Sequence, residues 1–483
     1  MFDSLSTFIQ ALRMTWRTQA SSPLVVAGAL LLPMLVGTCI HQQATALPPT
    51  SSSPQAAGDA VADAQNDSET QEPSVNHPTG SDAQPAASTK EVRLRHPPQE
   101  GVLGFDIALQ DKDGHSMDAL HRALKVAADK KGKARLLFYG ASHVASDFFT
   151  GYIRKRLQSR FGDAGHGFIM PAHPWPSYRH LGIVMKSSKK LWQGHRVRAN
   201  STEVDDYGFA GMAVSASDPK AYAEIQAVKK GVQGRRFSQF ELFYLQQPDG
   251  GSLDIRIDQR PMTRLNTRAN AKAPGYWIHR LSDAFHRIEL RVVGDAPVRL
   301  FGAAVERDEP GVVVDTVGIN GARARYHLLW NDALYRDQLV RRQPNLIALA
   351  YGTNESGDDI PLETYEGRLR QVLQRIRAIL PNASCLLIGP SDRPVRIRQK
   401  RTTRYEDRPR TQRVNNTQRR VAVEMGCAFF DVLAFQGGPL SMLQWVEAKP
   451  PYGAPDHIHF TRRGYERLGE VLLDAIMEGF ERP

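Results

Sequence analysis

Short apolar runs that stop at a glycine, alternating with stretches of helical period, fill two separated parts of the chain. Leu136-Leu137-Phe138-Tyr139 ends at Gly140 and is followed by a stretch with Phe149, Ile153 and Leu157 on one face. The same rhythm returns at 312–317, 345–350, 384–389 and 427–432, with helical patterns between. Behind Pro361, a residue suited to a helix start, Leu362, Tyr365, Leu369, Val372, Leu373 and Ile376 keep a 3.6-residue period. Ser116 is placed to cap a helix with Leu120, Leu124 and Ala127 on one face, and a last helix is expected over 461–480. Doubly buried strands that alternate with helices predict an α/β fold, a three-layer α/β/α sandwich around a parallel sheet.

Residues 187–308 have another texture. Runs at 240–246, 253–258, 275–281, 286–293 and 298–305 read as short strands, parted by turn formers such as Pro248-Asp249-Gly250-Gly251 and Gly294-Asp295. Their spacing predicts an antiparallel β-sandwich inserted between the halves of the α/β domain, 99–186 and 309–483. Tyr276 and Trp277 within it are candidates for stacking on a sugar ring, unless they belong to the sandwich core.

Ahead of the globular part, Arg13 and Arg17 precede an apolar run from Pro23 to Ile40, the pattern of an export signal or N-terminal membrane anchor over residues 1–40. Residues 41–98 are rich in Ser, Pro, Ala, Gln, Asp and Thr and hold no aromatic residue, so a disordered linker is expected. The protein is therefore expected to be exported to the periplasm or cell envelope. It stays tethered to the inner membrane if the segment is retained.

Charge and cysteine content narrow the partners. A net charge of +11 suits an anionic polymer or surface, and the stretch 393–410 alone holds eight Lys or Arg. No zinc-finger or RNP-like pattern appears, so nucleic acid is not expected. Neither a Walker loop nor an H-E-x-x-H metal pattern occurs, and no cofactor or metal is expected. Of the three cysteines, Cys39 lies in the N-terminal apolar run, while Cys385 and Cys427 each open a core strand and are read as buried thiols. A monomer is expected.

Chemistry collects at the strand ends. Gly140-Ala141-Ser142 places a serine where a parallel strand meets a helix, the edge at which open α/β sheets keep their sites. Gly321 follows the next core strand and Asn354 the one after, offering a backbone N–H and an amide donor; each could instead be a plain turn residue. Asp456 and His459 lie just before the last helix, spaced so that the carboxylate can hold the imidazole. Acyl transfer through serine needs these parts: a nucleophile, an oriented base and oxyanion donors. His457 competes with His459, but the i,i+3 spacing favours His459.

Gly140-Ala141-Ser142, Gly321, Gly352-Thr353-Asn354 and Asp456-x-x-His459 resemble the four blocks of the SGNH (GDSL-type) hydrolases over roughly residues 100–480. Phe161-Gly162-Asp163-Ala164-Gly165, Gly318-Ile319-Asn320-Gly321-Ala322 and the run from Asp456 to Tyr465 are similar to bacterial peptidoglycan O-acetylesterases, which carry a carbohydrate-binding-like β-rich insert. The resemblance implies Ser142 as nucleophile, His459 as base, Asp456 as its partner, and the N–H of Ser142, the N–H of Gly321 and Asn354 as oxyanion donors. Most such enzymes have Asp where this chain has Ala141, which raises the question of what braces the serine loop.

The expected function is an exported serine esterase that removes O-acetyl groups from a cell-wall glycan, peptidoglycan foremost. The alternatives are an O-acetyltransferase acting on an envelope polysaccharide, the same chemistry on lipid or thioester acyl groups, and a non-catalytic glycan-binding or assembly protein with a vestigial site.

Overall fold

The computed structural model describes residues 93–97, 99–400 and 402–481. The expectations for residues 1–92 lie outside the described residues. Among the described residues, no helix is long and apolar enough to cross a membrane.

Five parallel strands form the central sheet: β1 (Lys133–Gly140), β2 (Gly311–Gly318), β3 (Leu346–Ala350), β4 (Ser384–Ile388) and β5 (Ala428–Phe430), in the spatial order β2-β1-β3-β4-β5. Successive side chains leave opposite faces of a strand, and the core divides accordingly. Leu136, Phe138, Val314, Ala348 and Leu386 pack with the helices Asp118–Ala128, Phe148–Phe161 and Arg462–Met477. Leu137, Tyr139, Ile347, Leu349 and Leu387 face the other way, against the helices Leu362–Ile379 and Pro409–Glu424. The result is the three-layer α/β/α arrangement. The Leu362–Ile379 helix buries Tyr365, Leu369, Val372, Leu373 and Ile376, most of its apolar stripe, at roughly 1.5–3 kcal/mol for each fully buried large side chain.

Two antiparallel sheets make up the β-rich part. One contains, in order, Ala273–Ala284, Phe237–Gln246, Val298–Glu306, Met212–Ala216 and Gln193–Arg196, with Gly165–Ile169 paired to Val298–Glu306. The other runs Ile183–Ser187, Tyr222–Ala227, Arg287–Val292, Ser252–Ile257 and Thr263–Asn266. Phe240, Leu242 and Leu300 of the first sheet share an apolar cluster with Ile225, Ile255 and Leu290 of the second. Gly165–Ile169 lies ahead of residue 187 and Ile183–Ser187 ends on it, yet both complete these sheets.

Two local expectations are corrected. Met117, not Ser116, precedes the first helix; the Ser116 hydroxyl and N–H both donate to Asp111, 2.8 Å away, so this side chain is already engaged. Cys385 and Cys427 are not free thiols but a disulfide, their Cα atoms 4.7 Å apart. Leu386 pairs with Ala428, which sets the preceding cysteines side by side on neighbouring strands. That register is a property of the assembled sheet, not of either segment alone.

Candidate active site

The serine turn sits directly on the carboxyl edge of the sheet. Gly140 of β1 is level with Gly318 of β2 and Ala350 of β3, so the three following loops emerge together. A Cβ on Gly140 would lie 2.3 Å from the Val144 side chain and 2.7 Å from the Ala350 carbonyl, and one on Gly318 would lie 2.1 Å from the Ala145 nitrogen. Only glycine lets the single helical turn Ser142–Ala145 settle between the strand ends. Ala145 and Ser146 close it by donating to the carbonyls of Ala141 and Ser142, at 2.9 and 3.1 Å.

Ala141 is 5 % exposed and packs in the apolar cluster. The bracing carboxylate stands instead at Asp147, fully buried, with a left-handed φ of 53°. It accepts from Thr150, from Arg154, from the Leu181 N–H and from the Thr316 hydroxyl of β2. Burial alone would raise its pKa, but Arg154 and His180 hold it well below the usual carboxylate range. The loop thus keeps its order without an acid at 141.

The nucleophile candidate meets its base. Ser142 Oγ lies 2.7 Å from His459 Nε2, and His459 Nδ1 lies 2.7 Å from Asp456 Oδ2. Asp456 Oδ1 accepts from the N–H groups of Ile458 and His459, both at 2.9 Å. Burial pushes this carboxyl up, but the His459 ring and those two N–H groups outweigh it and hold the group well below its ordinary value. Thr461 caps the following helix by accepting from the Gly464 N–H, which fixes the turn in front of it. His457 does not compete: its φ of 58° turns it onto Tyr405, the two rings 4.1 Å apart.

Gly321 and Asn354 stand three and four residues past the level row of strand ends. A Cβ on Gly321 would meet nothing within 4 Å, so the space before it is open. Asn354 Nδ2 donates to the Ala322 carbonyl at 2.9 Å, and an amide has a second hydrogen to offer. Buried Glu355 accepts from the N–H groups of Gly352 and Ala324, and Arg323 bridges Asp358 and the Gly321 carbonyl. These ties lock the two loops to each other. Neither Glu355 nor Arg323 was singled out from sequence, although each adjoins or nearly adjoins a candidate donor.

Tyr276 and Trp277 are not brought to this edge. Tyr276 donates to Asp337, carries the Arg341 guanidinium 4.0 Å over its ring, and lines a groove with Arg135 near the opposite end of β1. Trp277 stacks on His279 at 5.4 Å and packs against Phe240.

A further residue does lie in the site. His143 Nδ1 is 2.9 Å from the Tyr465 hydroxyl and Nε2 is 3.2 Å from the Ser391 hydroxyl, which in turn contacts Thr353 beside Asn354. Its ring centre is 5.3 Å from that of His459. Burial, helped by His459, pushes His143 down to about 3, so it stays neutral next to the base. Its place directly after the serine was the available signal.

Behind the turn, Tyr178 accepts from the Met170 N–H and donates to His180 Nε2, and His166 and His180 lie 3.4 Å apart. Both imidazoles are more than nine-tenths buried. Burial lowers His180 from 6.5 to about 4 and His166 well below 6.5. The unfolded chain therefore binds protons that the folded chain refuses. The stability these neutral rings contribute is complete above about pH 6.5 and is lost as pH falls toward about 4. Urea midpoints are expected to drop between pH 7 and 5 by the equivalent of about 2–4 kcal/mol. A flat profile over that range would count against buried neutral rings.

The family model for the GDSL-like lipase/acylhydrolase family matches residues 281–467, a span that includes Gly321, Asn354, Asp456 and His459. The fold is similar to a solved peptidoglycan O-acetylesterase, at 25 % identity over 78 % of this chain and 99 % of that one, with a TM-score of 0.63. A family two carbohydrate esterase from Cellvibrio japonicus is matched at 11 % identity over 62 % of this chain and 98 % of that one, with a TM-score of 0.24. Comparison with curated proteins returns no match.

Proposed function

We propose that the chain is a carboxylic ester hydrolase of the SGNH superfamily, an exported serine esterase that removes O-acetyl groups from a cell-wall glycan, with peptidoglycan as the first candidate. The observation that carries the reading is the continuous series Ser142–His459–Asp456, joined by two 2.7 Å contacts at the carboxyl edge of the sheet.

In this reading the Ser142 hydroxyl donates to His459 Nε2, while His459 Nδ1–H donates to Asp456. Attack forms a bond from Oγ to the acetyl carbonyl carbon as the proton passes to Nε2, and the ionised Asp456 stabilises the imidazolium. The oxyanion is met by the Ser142 N–H, which opens a helical turn and has no partner within it, by the Gly321 N–H, and by the second hydrogen of Asn354. Collapse expels the sugar oxygen, which takes the proton from Nε2. Water then releases acetate by the same steps.

The substrate class rests on several independent supports. The similar enzyme of known structure is a peptidoglycan O-acetylesterase. The His459 and Asp456 side chains are 36 and 49 % exposed, so the site is open enough for an ester on a polymer. A disulfide is at home in an oxidising compartment, which fits the proposed export.

Acetate release from O-acetylated peptidoglycan and from a small acetyl ester tests the reading. A chain inert on both would sink it, and transfer of acetyl to added glycan in place of release would redirect it to a transferase. Asn354→Ala is expected to lower kcat roughly 100- to 1,000-fold with a smaller change in KM. Full activity in that variant would remove Asn354 from the oxyanion site.

A further inference from the structure

The basic stretch ahead of the Pro409–Glu424 helix is not a loose loop. Val395–Gln399 and Thr402–Glu406 form an antiparallel hairpin. Its flanking arginines point home: Arg393 donates to the Thr353 carbonyl, Arg408 to the Arg393 carbonyl, and Arg410 to the carbonyls of Glu355 and Ile360. The base of the hairpin is therefore tied to the loop that carries Asn354.

Register decides which way the hairpin's charges face. Arg396 is directly opposite Tyr405, and Arg398 is opposite Thr403. Opposed residues of an antiparallel pair, and residues two apart on a strand, share a face. Arg396, Arg398, Thr403 and Tyr405 thus form one face. That face abuts the catalytic turn, because the Tyr405 ring stacks on His457 and its hydroxyl lies 3.1 Å from His457 Nδ1. Arg396 stands beside this contact, and Arg398 about 7 Å farther along the strand. Arg404 is on the other face, paired with Glu406 at 2.7 Å. Arg396 and Arg398 are exposed, and their side chains make no hydrogen bond or ion pair among the described residues.

Two unpaired guanidinium groups held on a strand beside the triad suit planar carboxylates presented by a neighbouring unit of the substrate chain. We infer that the Arg396/Arg398 face is a docking strip for the carboxylates of an anionic, O-acetylated glycan whose ester enters at Ser142. The inference rests on the esterase reading of that site and deepens it, separating carboxylate-bearing wall polymer from neutral acetylated polysaccharides.

The test uses the full-length chain, its Arg396→Gln/Arg398→Gln double variant and the matching Lys double variant. Sedimentation with insoluble peptidoglycan sacculi reads binding, and acetate release reads turnover on O-acetylated sacculi, on acetylated xylan and on a small neutral acetyl ester. The Gln variant is expected to sediment less at low salt. Its rate on sacculi, relative to its rate on the small ester, should fall roughly 3- to 10-fold, with the Lys variant recovering part of the loss. The same ratio for acetylated xylan should not fall. Raising the salt concentration should erase the difference between wild type and variant.

Unchanged sedimentation, an unchanged sacculus-to-ester ratio, or a wild type that does not sediment would each overturn the inference. So would loss of binding to anionic lipid vesicles while sacculus binding persists, since that would make the strip a membrane contact. A wild type that sediments and cleaves the small ester but releases no acetate from sacculi would instead defeat the substrate proposed above and leave the binding strip standing.

Discussion

Ser142→Ala is expected to lower kcat on a small acetyl ester by roughly 10⁴- to 10⁶-fold. Ser142 Oγ is held 2.7 Å from His459 Nε2, and the serine loop is fixed from below by Asp147 and the glycines of the strand ends. Alanine fits the same turn, so the loss is of the nucleophile and not of the fold. His459→Ala should fall in the same range. The double variant should be no slower than either single one, because serine and imidazole act as a unit. Rates for the three variants, with an unfolding curve for each, check this. A Ser142→Ala protein within tenfold of wild type would mean that the nucleophile lies elsewhere.

The largest effect on stability is expected at a place far from the chemistry. Arg342 is 3 % exposed and donates to Asp315 of β2 at 2.9 Å, while its other arm reaches Glu306 at 2.8 Å. Glu306 ends the Val298–Glu306 strand, is 1 % exposed, and also takes a forked pair of bonds from Arg135 of β1. Burial would raise the Glu306 pKa, but Arg342 and Arg135 keep it well below its ordinary value. Arg342→Met keeps much of the side-chain volume and leaves two buried carboxylates short of their cation. A loss of about 3–5 kcal/mol is expected, read as a shift in the urea midpoint. Arg342→Met/Glu306→Gln should recover part of it, since one of the two stranded charges is then gone. A single variant as stable as wild type would show that Lys133 and Arg135 suffice for Glu306 and the Phe168 N–H for Asp315.

The parts of this structure that were legible in the sequence are those set by local periodicity. The Leu362–Ile379 stripe follows from spacing along one segment, and so do the glycine-ended core strands. The pairing of Ser142, Asp456 and His459 was legible because each sits at a strand end or helix start, and α/β topology gathers those positions. What escaped depends on register between distant segments. Cys385 and Cys427 are neighbours only because β4 and β5 align as they do. Arg396 and Arg398 share a face with Tyr405 only because the hairpin turns where it does. Tyr276 and Trp277 read either as sugar platforms or as sandwich core, because aromatic residues on a strand carry no mark of which end of the domain they will occupy. Asp147 went unnoticed as a brace because its partners, Leu181 and Thr316, are far apart in sequence.

The way the β-rich part is spliced into the sheet has a consequence for how the chain folds. Gly140 and Gly318 are partners, so joining β1 to β2 from an open chain closes a loop of about 180 residues, at a length-dependent cost of about 4–5 kcal/mol. Gly165 is itself paired with Glu306, which brings the entrance and exit of the intervening segment together. Once that pair exists, fewer than about 40 residues separate β1 from β2 along the shortest connected path, and the closure cost falls by about 1–2 kcal/mol. The β-rich part thus acts as a clasp on its own insertion point, and the row of strand ends that carries Ser142 and Gly321 is cheapest to assemble after it has formed.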